Sequence, residues 1–463
     1  MNVFHVQFTN SESKYKQLTD HIKSLIVKGS LPHHYKLPSI RKLSTFLNVN
    51  NVTIVNCYKT LEQDGYAYTI HGSGTFVIAD NNLIDTNEGY SESTVFGDVK
   101  YDFITSSPSP TFFPVKAFKG LLNDVLERDG GFAFNYQEAG GYLPLRQSLR
   151  ELLKGYKINV PHQYVHIISG GQQGLDIIAK TLLSEGDFVF TEEPCYPGAM
   201  ATFSSRGAKT VGIPVRNKGM DLQILEDRLK KFNPKFIYVM PDFQSPTGYQ
   251  YDLAHRRKLL DLASKYNTLI VEDDHFSDLN YSINKIPPLK ALDTENIVIY
   301  IKSFSKVFMP GLRLALLVAP PIFNTPLIEA KQFSDISTSG FLQRAFDLYL
   351  RKDLWQEHVN KVKKVYQSRC LTTISALEKR LPSSVMFTKP TGGLCVWIQL
   401  PPHICADDIA NLAKQHGVGI LPGDDFFIDR KQNFFRLSFT TMAEKDIEAG
   451  IEILASIIKG TLK

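Results

Sequence analysis

Short apolar segments rich in β-branched residues alternate with helical patterns from Tyr164 onward, and this alternation constrains the fold more than any other feature. The β-rich segments are 165–169, 188–192, 236–240, 268–273, 297–301 and 314–318. Helical patterns such as 173–183 and 253–266 lie between the earlier segments. Because this order is typical of a mostly parallel sheet covered by helices, we predict an α/β fold for the large C-terminal region.

Polar residues gather where the predicted strands end, which is where sheets of this kind bind ligands. Gly171 and Gln172 follow one strand and begin a helix, a shape suited to a phosphate group. Asp273 ends a second strand, and Lys306 follows a third. Pyridoxal 5′-phosphate requires such a set. A lysine amine forms a Schiff base with its aldehyde, and a carboxylate pairs with its ring nitrogen.

Each of these residues alone has a simpler interpretation, since most lysines lie on the surface and many aspartates merely cap helices. Their order is more specific. The segments SGGQQGLD, EEPCYPGA, PDFQSPTG, VEDDHF, SFSKVFMPGLR and NFFRLSF resemble class I (fold type I) aminotransferases over roughly residues 101–460. This resemblance implies a large sheet domain, a smaller α/β part at roughly 335–463, and pyridoxal 5′-phosphate as cofactor.

The resemblance also implies a role for individual residues. Lys306 becomes the Schiff-base lysine and Asp273 the partner of the pyridine nitrogen. Tyr196 is expected to stack on the ring, and Arg436 to bind a substrate α-carboxylate through its planar guanidinium. Tyr136 matches the tyrosine that reaches the phosphate in a neighbouring subunit. The residues implied to hold the phosphate are Gly171, Gln172, Ser303, Ser305 and Arg313.

Two positions around the ring hydroxyl depart from the family pattern. The family's Asn-Pro-Thr-Gly motif begins with Ser245 here, and the usual tyrosine after the strand-end aspartate is His275. Both groups tune the pKa of the Schiff base, so their replacement bears on transamination. His275 can still donate a hydrogen bond and is counted among the cofactor-binding residues. We expect cofactor binding, and the sequence leaves open whether transaminase turnover survives.

The first 79 residues predict a smaller module. Apolar residues at helical spacing indicate a first helix around Leu18–Ile26, and Ser39 is a candidate N-cap of a second. Residues 48–50 form a tight turn before a third helix. The apolar face of that third helix is assigned to Val52, Val55, Tyr58 and Leu61. Two alternating runs around residues 71–74 predict a β-hairpin, so the whole layout is that of a winged helix-turn-helix.

The third helix also has a polar face that suits the major groove of DNA, because asparagine pairs with adenine edges there. The candidate base-reading residues are Asn50, Asn51, Thr53 and Asn56. The candidate backbone contacts are Lys36, Ser39, Arg41, Lys42, Lys59, Gly72 and Ser73. A small helical module with a solvated face, or a protein-interaction domain, is the alternative interpretation.

The segment from YKQLTDHIKSL to YAYTIHGSGTFV resembles the GntR-type winged-helix domain along its whole length. The matches include Leu37-Pro38-Ser39, Arg41, Gly65 and the turn Gly72-Ser73-Gly74-Thr75. The usual Ser-Arg at the start of the third helix is Asn50-Asn51 here. The resemblance therefore implies binding to double-stranded operator DNA, but it does not transfer the operator sequence.

The formal charge of +5 is unevenly distributed along the chain. Residues 1–79 carry +4, residues 80–100 carry −4 and residues 101–463 carry +5. We therefore predict a basic DNA-binding domain, a flexible linker and a large cofactor domain over these three ranges. With about four phosphate contacts per subunit, DNA binding should need both copies of a dimer and weaken with salt.

Other features restrict the class of protein. The five cysteines are scattered and lack CxxC spacing, which is typical of reduced thiols in a cytoplasmic protein. His403 and His416 have no partners at metal-ligand spacing, so we expect no metal site. The residues expected to form the core of the smaller C-terminal part are Trp397, Phe426, Phe427, Phe434 and Phe435.

Together the two resemblances match the MocR subfamily of GntR-type transcriptional regulators. That match implies a pyridoxal-phosphate-dependent regulator that forms a head-to-tail, domain-swapped homodimer. The predicted effector is the cofactor itself, or an amine or amino acid that reacts at Lys306. Two alternatives remain open: a working aminotransferase with an accessory N-terminal module, and a GntR-type repressor whose large domain has lost the cofactor and only dimerises.

Overall fold

The computed structural model describes residues 2–6, 8–9, 12–27, 30–31, 34–70, 74–77, 99–216, 219–429 and 433–462. The chain divides into two compact units, Met1–Thr94 and Val95–Lys463. Most of the predicted linker, and with it Gly72 and Ser73 of the hairpin turn, lies outside the described residues. Within the described ranges, every helix is too short or too polar to cross a lipid bilayer.

The N-terminal unit is a winged helix-turn-helix, as predicted. Its elements are α1 (Lys14–Val27), α2 (Ile40–Leu47), α3 (Asn51–Gln63), β1 (Ala67–Ile70) and β2 (Gly74–Val77). The two strands pair antiparallel. The hydroxyl of Ser39 caps α2 by accepting from the amide of Lys42 at 3.4 Å. Asn50 caps α3 by accepting from the amide of Val52 at 2.9 Å, so each of these two helices begins at a capping side chain.

The apolar face assigned to α3 was wrong in one respect. Val52 is 60 % exposed, and the buried residues of the helix are Ile54, Cys57, Tyr58 and Leu61. Apolar residues occur on two sides of this helix at similar spacing, and periodicity alone does not choose between them. The side facing Leu18 and Ile22 of α1 is the one that is buried.

The C-terminal unit is built on an eight-stranded sheet. Its strands are β4 (Val165–Ile168), β5 (Phe188–Glu193), β6 (Lys209–Arg216), β7 (Gly219–Met220), β8 (Pro234–Val239), β9 (Leu269–Asp274), β10 (Val298–Ser303) and β11 (Ala315–Val318). They lie in the order β4-β11-β10-β9-β8-β5-β6-β7. The run from β10 to β6 is parallel, while β11 and β7 are antiparallel to their neighbours. The predicted mostly parallel sheet is therefore confirmed.

Helices accompany this sheet and bury its strands. They are α4 (Val115–Asp129), α5 (Leu143–Lys154), α6 (Gly171–Leu182), α7 (Pro197–Ser204), α8 (Leu222–Leu229), α9 (Leu253–Lys265), α10 (Leu289–Leu292), α11 (Asn324–Asp335) and α12 (Gly340–Arg351). Asp221 and Asp252 cap α8 and α9 by accepting from amides in the first turn. Every residue of β10 is buried, as expected of a parallel strand with apolar packing on both faces.

A smaller α/β part completes the unit. It contains β12 (Met386–Phe387), β13 (Cys395–Gln399), β15 (Leu421–Pro422) and β16 (Phe434–Ser438) in the order β12-β13-β16-β15. A further parallel pair joins β3 (Tyr101–Asp102) to β14 (Val418–Gly419). Its helices are α13 (Leu354–Arg380), α14 (Ala406–Gln415) and α15 (Glu444–Thr461). The smaller part therefore takes residues from both ends of the unit, whereas α12 packs against α4 and α5.

The aromatic residues predicted as the core of this smaller part divide into two groups. Trp397, Phe426 and Phe427 form a separate buried cluster, against which Phe434 packs. Phe435 belongs to the main core of the unit. Successive residues of a strand point to opposite faces, which explains why Phe434 and Phe435 separate.

Candidate cofactor site and nucleic-acid interface

The strand order of the large sheet brings the predicted site residues to one edge. β11 pairs with both β4 and β10, so Ala315 lies opposite Ile168 and Ser303 at once. β9 runs beside β10 in the same direction, with Asp273 opposite Ile301. The carboxyl ends of β4, β9 and β10 therefore lie at the same edge of the sheet, and polar residues follow each of them.

An anion-binding cradle forms where β4 leads into α6. Gly170 has φ of 95°, which a residue with a side chain rarely adopts, and a Cβ there would overlap the guanidinium of Arg313. Arg313 donates from Nη2 to the carbonyl of Ser169 at 3.0 Å. A Cβ built on Gly171 would lie 3.8 Å from Cβ of Ser303. A guanidinium, a helix N-terminus and a hydroxyl thus converge in a way that fits a phosphate.

Ser305 and Gln172 extend the cradle on either side. The amide of Ser305 donates to Oγ of Ser303 at 3.3 Å, which keeps the strand end compact. Gln172 donates from Nε2 to Oγ1 of Thr202 at 2.6 Å, and its Oε1 accepts from the hydroxyl of Tyr196 at 3.3 Å. The side chain of Gln172 therefore orients Tyr196, whose pKa is raised by burial and by the charge of Asp273.

Asp273 lies at the floor of the site and is 1 % exposed. Its Oδ2 accepts from the hydroxyl of Tyr238 at 2.8 Å. Its Oδ1 lies 2.8 Å from Nδ1 of His275, yet neither atom has a well-directed hydrogen bond among the described residues. A buried carboxylate oxygen without such a bond is costly, so a protonated ring nitrogen is a fitting partner for it.

His275 lies between the carboxylate and the cradle. Its Nε2 would be 3.4 Å from a Cβ on Gly171, and its ring centroid is 6.4 Å from that of Tyr196. This position places an imidazole where the family has a phenol. Ser245, at the other departing position, is buried in the loop that precedes α9.

Lys306 and Arg436 are held by one short segment, 104–106, which the sequence did not single out. Nζ of Lys306 donates to the carbonyl of Ser106 at 3.0 Å, and Nη2 of Arg436 donates to the carbonyl of Ile104 at 2.9 Å. The carbonyl between them, that of Thr105, accepts from Thr440 at 2.6 Å. Two carbonyls of this segment thus tie the two cations to the start of the unit, and the carbonyl between them binds Thr440. The partners are some 200 to 335 residues apart in sequence, so no local pattern reveals the contact.

Arg436 is a guanidinium with capacity for a further acceptor. Its Nε has no hydrogen-bond partner among the described residues, and burial lowers its pKa. The ring of Phe426 lies 5.6 Å from its central carbon. A desolvated guanidinium with an unpaired N–H fits a carboxylate, which accepts two parallel hydrogen bonds.

Tyr136 is not packed among these residues. It is 82 % exposed and stands close in sequence to Phe132 and Phe134, which are 74 % and 66 % exposed. This exposure suits a residue whose target is on another subunit, as the family resemblance implies.

In the N-terminal unit, the predicted phosphate contacts are accessible. Lys36, Arg41, Lys42 and Lys59 are exposed, and the ammonium of Lys36 lies over the ring of Phe76 beside the hairpin. Of the predicted base-reading residues, Asn56 is exposed and Thr53 is half-buried. These side chains lie along and beside the helix-turn-helix, where a DNA backbone would pass.

Asn50 and Asn51 already use their side-chain carbonyls within the turn. Oδ1 of Asn50 caps α3, and Oδ1 of Asn51 accepts from the hydroxyl of Ser44 at 2.6 Å. The amide NH₂ groups remain as donors. A bidentate contact with adenine would therefore have to share or break these bonds.

Comparisons with known proteins agree with both parts of this description. The aminotransferase class I and II model matches residues 107–454, and the model for bacterial regulatory proteins of the gntR family matches residues 14–77. The chain is 35 % identical over 363 residues to "Aromatic-amino-acid aminotransferase 1" of Thermococcus litoralis, which covers 77 % of this chain and 87 % of that protein.

A second relative extends over both units. The "Uncharacterized HTH-type transcriptional regulator YdfD" of Bacillus subtilis is 30 % identical over 469 residues, covering 96 % of each chain. Among solved structures, the α-aminoadipate aminotransferase LysN of Thermus thermophilus, complexed with N-(5′-phosphopyridoxyl)-L-leucine, has a TM-score of 0.74 at 33 % identity. The match covers 81 % of this chain and 99 % of the LysN chain.

These matches and the cradle geometry identify pyridoxal 5′-phosphate as the cofactor of the C-terminal unit. The N-terminal unit is a GntR-type DNA-binding domain. The chain therefore belongs to the aminotransferase class I and II family, in the branch that carries an N-terminal GntR-type winged helix and has the architecture of the MocR-type transcriptional regulators.

Proposed function

We propose that this protein is a transcriptional regulator whose C-terminal unit senses pyridoxal 5′-phosphate, or an amino compound that reacts with it at Lys306. The observation that carries the proposal is that one chain combines a GntR-type DNA-binding domain with an anion-binding cradle that has the polar groups the cofactor needs. The relative YdfD, similar over 96 % of this chain, bears the name of a transcriptional regulator.

Different residues at the edge of the sheet bind different parts of the cofactor. Arg313, Ser303 and the amides at the start of α6 hold the phosphate, with Gln172 and Ser305 supporting them. Asp273 would accept a hydrogen bond from the protonated ring nitrogen, and Tyr196 would stack on the ring. When bound, the cofactor supplies an aldehyde that condenses with amines and a ring that withdraws electrons. Lys306, whose ammonium donates to the carbonyl of Ser106, would after loss of a proton be the amine that condenses with that aldehyde, with release of water.

Arg436 gives the site a preference among effectors. An amino acid presents a carboxylate, which a buried guanidinium binds bidentately, whereas a simple amine does not. If an amino acid is the effector, its carboxylate binds free N–H groups of Arg436 and competes with the carbonyl of Ile104, which weakens the hold on one end of segment 104–106. If the cofactor itself is the effector, Lys306 releases the carbonyl of Ser106 at the other end.

The proposed active form is a head-to-tail homodimer. Phe132, Phe134 and Tyr136 expose aromatic rings within five residues of one another. The amide of Gln137, the next residue, donates to the hydroxyl of Ser337 at 3.4 Å, and Ser337 follows the 89 % exposed Phe333 by four residues. Monomers rarely expose so many large apolar side chains in one area. Pairing two copies across this surface buries these rings and brings Tyr136 to the partner's phosphate.

Linkage between the two functions follows from the dimer. If effector binding favours one arrangement of the subunits, the spacing of the two winged helices changes, and operator affinity changes with it. By reciprocity, operator DNA then alters effector affinity by the same factor.

An active aminotransferase is the alternative function, and the 35 % identity to an aromatic-amino-acid aminotransferase favours it. Purified protein supplied with amino and keto acids distinguishes the two. The regulator proposal predicts slow or single-turnover transfer together with an effector-dependent change in DNA retardation. Robust multi-turnover transamination without any such change in DNA binding would contradict it.

The role of Lys306 has an optical test, which also addresses a repressor whose large domain only dimerises. A protein of that kind would be colourless, and added pyridoxal 5′-phosphate would produce no protein-bound absorbance band. The proposal predicts a visible band in the wild type that is absent in Lys306→Ala.

A further inference from the structure

An open cleft of about 730 Å³ lies in the C-terminal unit between the large sheet and the smaller part. The large part contributes Glu193, Val215 and Tyr249 to its walls, and the smaller part contributes residues of β12, β13, the end of α13 and Phe434. This volume is within the range of about 300–1,000 Å³ typical of small-molecule sites. The cleft is thus large enough for a ligand that contacts both parts.

Aromatic rings form one wall of the cleft. The rings of Trp397 and Phe434 are stacked, with centroids 5.5 Å apart and planes 13° apart. Phe427 lies against both, with its centroid 6.1 Å from Trp397 and 5.3 Å from Phe434. Tyr249 and Phe387 line the same cleft. Ring faces attract cations, and tryptophan does so most strongly.

Of the three charged residues among the described lining residues, two are acidic. Glu193 ends β5, and Glu378 lies on α13 at the other side. Lys389 is the one basic residue among the described lining residues, and its ammonium pairs with Glu378 at 2.5 Å. The described lining residues therefore carry a formal charge of −1, and Glu193 is the carboxylate among them without an ion pair to another described residue. A cleft lined by aromatic rings and a carboxylate is complementary to a cation with an apolar body.

This cleft is distinct from the cofactor site. Phe426 lies between them, because its ring packs on Trp397 at 5.6 Å on one side and on Arg436 at 5.6 Å on the other. The carbonyl of Phe426 accepts from the amide of Cys195 at 2.8 Å, and this bond holds Phe426 against the segment just before Tyr196. The residues implied for the cofactor do not line the cleft.

We propose that this cleft is a second ligand site, which binds an organic cation with an aromatic or alkyl body. The body packs against Trp397, Phe427 and Phe434, and the cationic group faces Glu193. The site is separate from the aldehyde chemistry at Lys306, so its ligand needs a positive charge but no reactive amine.

Benzyltrimethylammonium tests this proposal because its quaternary nitrogen cannot condense with an aldehyde. Calorimetric titration of the cofactor-loaded protein should show saturable 1:1 binding per chain. The neutral probe 2-phenylethanol should bind about tenfold more weakly, since it lacks the cation–ring and cation–carboxylate attractions.

Matched variants locate the binding. Glu193→Gln removes the facing charge and should weaken benzyltrimethylammonium binding about fivefold, and Trp397→Leu should weaken it at least as much. Glu329→Gln, the same change on the exposed face of α11, should leave it unaltered. Because Trp397→Leu can disturb folding, the Glu193 variant is the decisive one. Absence of saturable binding, an unchanged affinity in Glu193→Gln, or loss of binding in Lys306→Ala would overturn the proposal.

Discussion

At the scale of single residues, the site depends on a few buried polar atoms whose environment suits a cofactor. Asp273 is the clearest of these, because Tyr238 occupies one carboxylate oxygen while the other lacks a well-directed hydrogen bond. This second oxygen is the one that can accept a hydrogen bond from the protonated ring nitrogen of the cofactor.

Asp273→Asn should lower cofactor affinity by about tenfold to a hundredfold, because a charge-assisted hydrogen bond to the ring nitrogen contributes about 1.5–3 kcal/mol. The variant keeps an oxygen for the hydroxyl of Tyr238, so the fold should persist. Absorbance titration with pyridoxal 5′-phosphate measures the change, with the exposed Asp261→Asn as control. An affinity equal to that of the wild type would mean that Asp273 does not contact the ring.

The double change His275→Tyr with Ser245→Asn restores the family's groups around the ring hydroxyl. We expect multi-turnover transamination to rise by about tenfold or more, because the restored groups tune the pKa on which proton transfer depends. Turnover with amino-acid and keto-acid pairs measures it. A rate no higher than that of the wild type would show that other features limit catalysis.

Residue identities in the site were largely accessible from sequence, because strand ends concentrate polar residues in a recognisable order. Two other features were not accessible, one in the site and one in the winged helix. Segment 104–106 meets Lys306 and Arg436 across hundreds of residues, and Val52 could be assigned to either face of α3. Both depend on tertiary packing rather than on local periodicity.

At the scale of elements, the strand leading to the cradle contains a buried titratable group. His166 in β4 is 2 % exposed, and its Nε2 lies 2.7 Å from Oδ1 of Asn324. Burial lowers the pKa of His166 to about 4, with the charges of Arg146 and Lys331 acting in the same direction. The folded state therefore binds this proton less tightly than the unfolded chain does.

This difference makes stability depend on pH. The contribution of His166 is fully present above its unfolded pKa of about 6.5 and is lost as the pH falls towards 4. Between pH 7 and pH 4.5 the wild type should lose about 2 kcal/mol of unfolding free energy through this residue. The glutamine in His166→Gln is uncharged at both pH values, so this variant should lose about 2 kcal/mol less unfolding free energy than the wild type does. Denaturant titrations at pH 7 and pH 4.5 measure the difference. An equal loss in both proteins would refute the assignment.

The elements themselves were predictable where hydrophobic patterns are strong. The β-rich segments at 188–192, 268–273 and 297–301 correspond to β5, β9 and β10 within a residue or two at each end. The strand order of the sheet was not available from the pattern, because periodicity carries no information on which strands are neighbours. The pairing of β3 with β14, which come from opposite ends of the unit, could not be predicted for the same reason.

At the scale of the whole molecule, the exposed aromatic residues near Tyr136 predict an interface. Phe132→Asp should raise the dimer dissociation constant by about a hundredfold or more, because it places a charge in a desolvated apolar contact. Ile283→Asp is a matched control, since Ile283 is completely exposed elsewhere on the same unit. Sedimentation velocity over a range of concentrations measures both. Equal dimerisation of the two variants would exclude this surface.

The central claim is that cofactor chemistry at Lys306 controls DNA binding by the winged helix. The most direct test is the dissociation constant for an operator selected from random duplexes, measured at one salt concentration with and without pyridoxal 5′-phosphate. We predict that the cofactor, alone or with an amino acid that Arg436 can bind, changes this constant at least about fivefold. The change should vanish in Lys306→Ala, whose winged helix is intact. An operator affinity that is indifferent to cofactor and amino acids in the wild type, or a response retained in Lys306→Ala, would contradict the account.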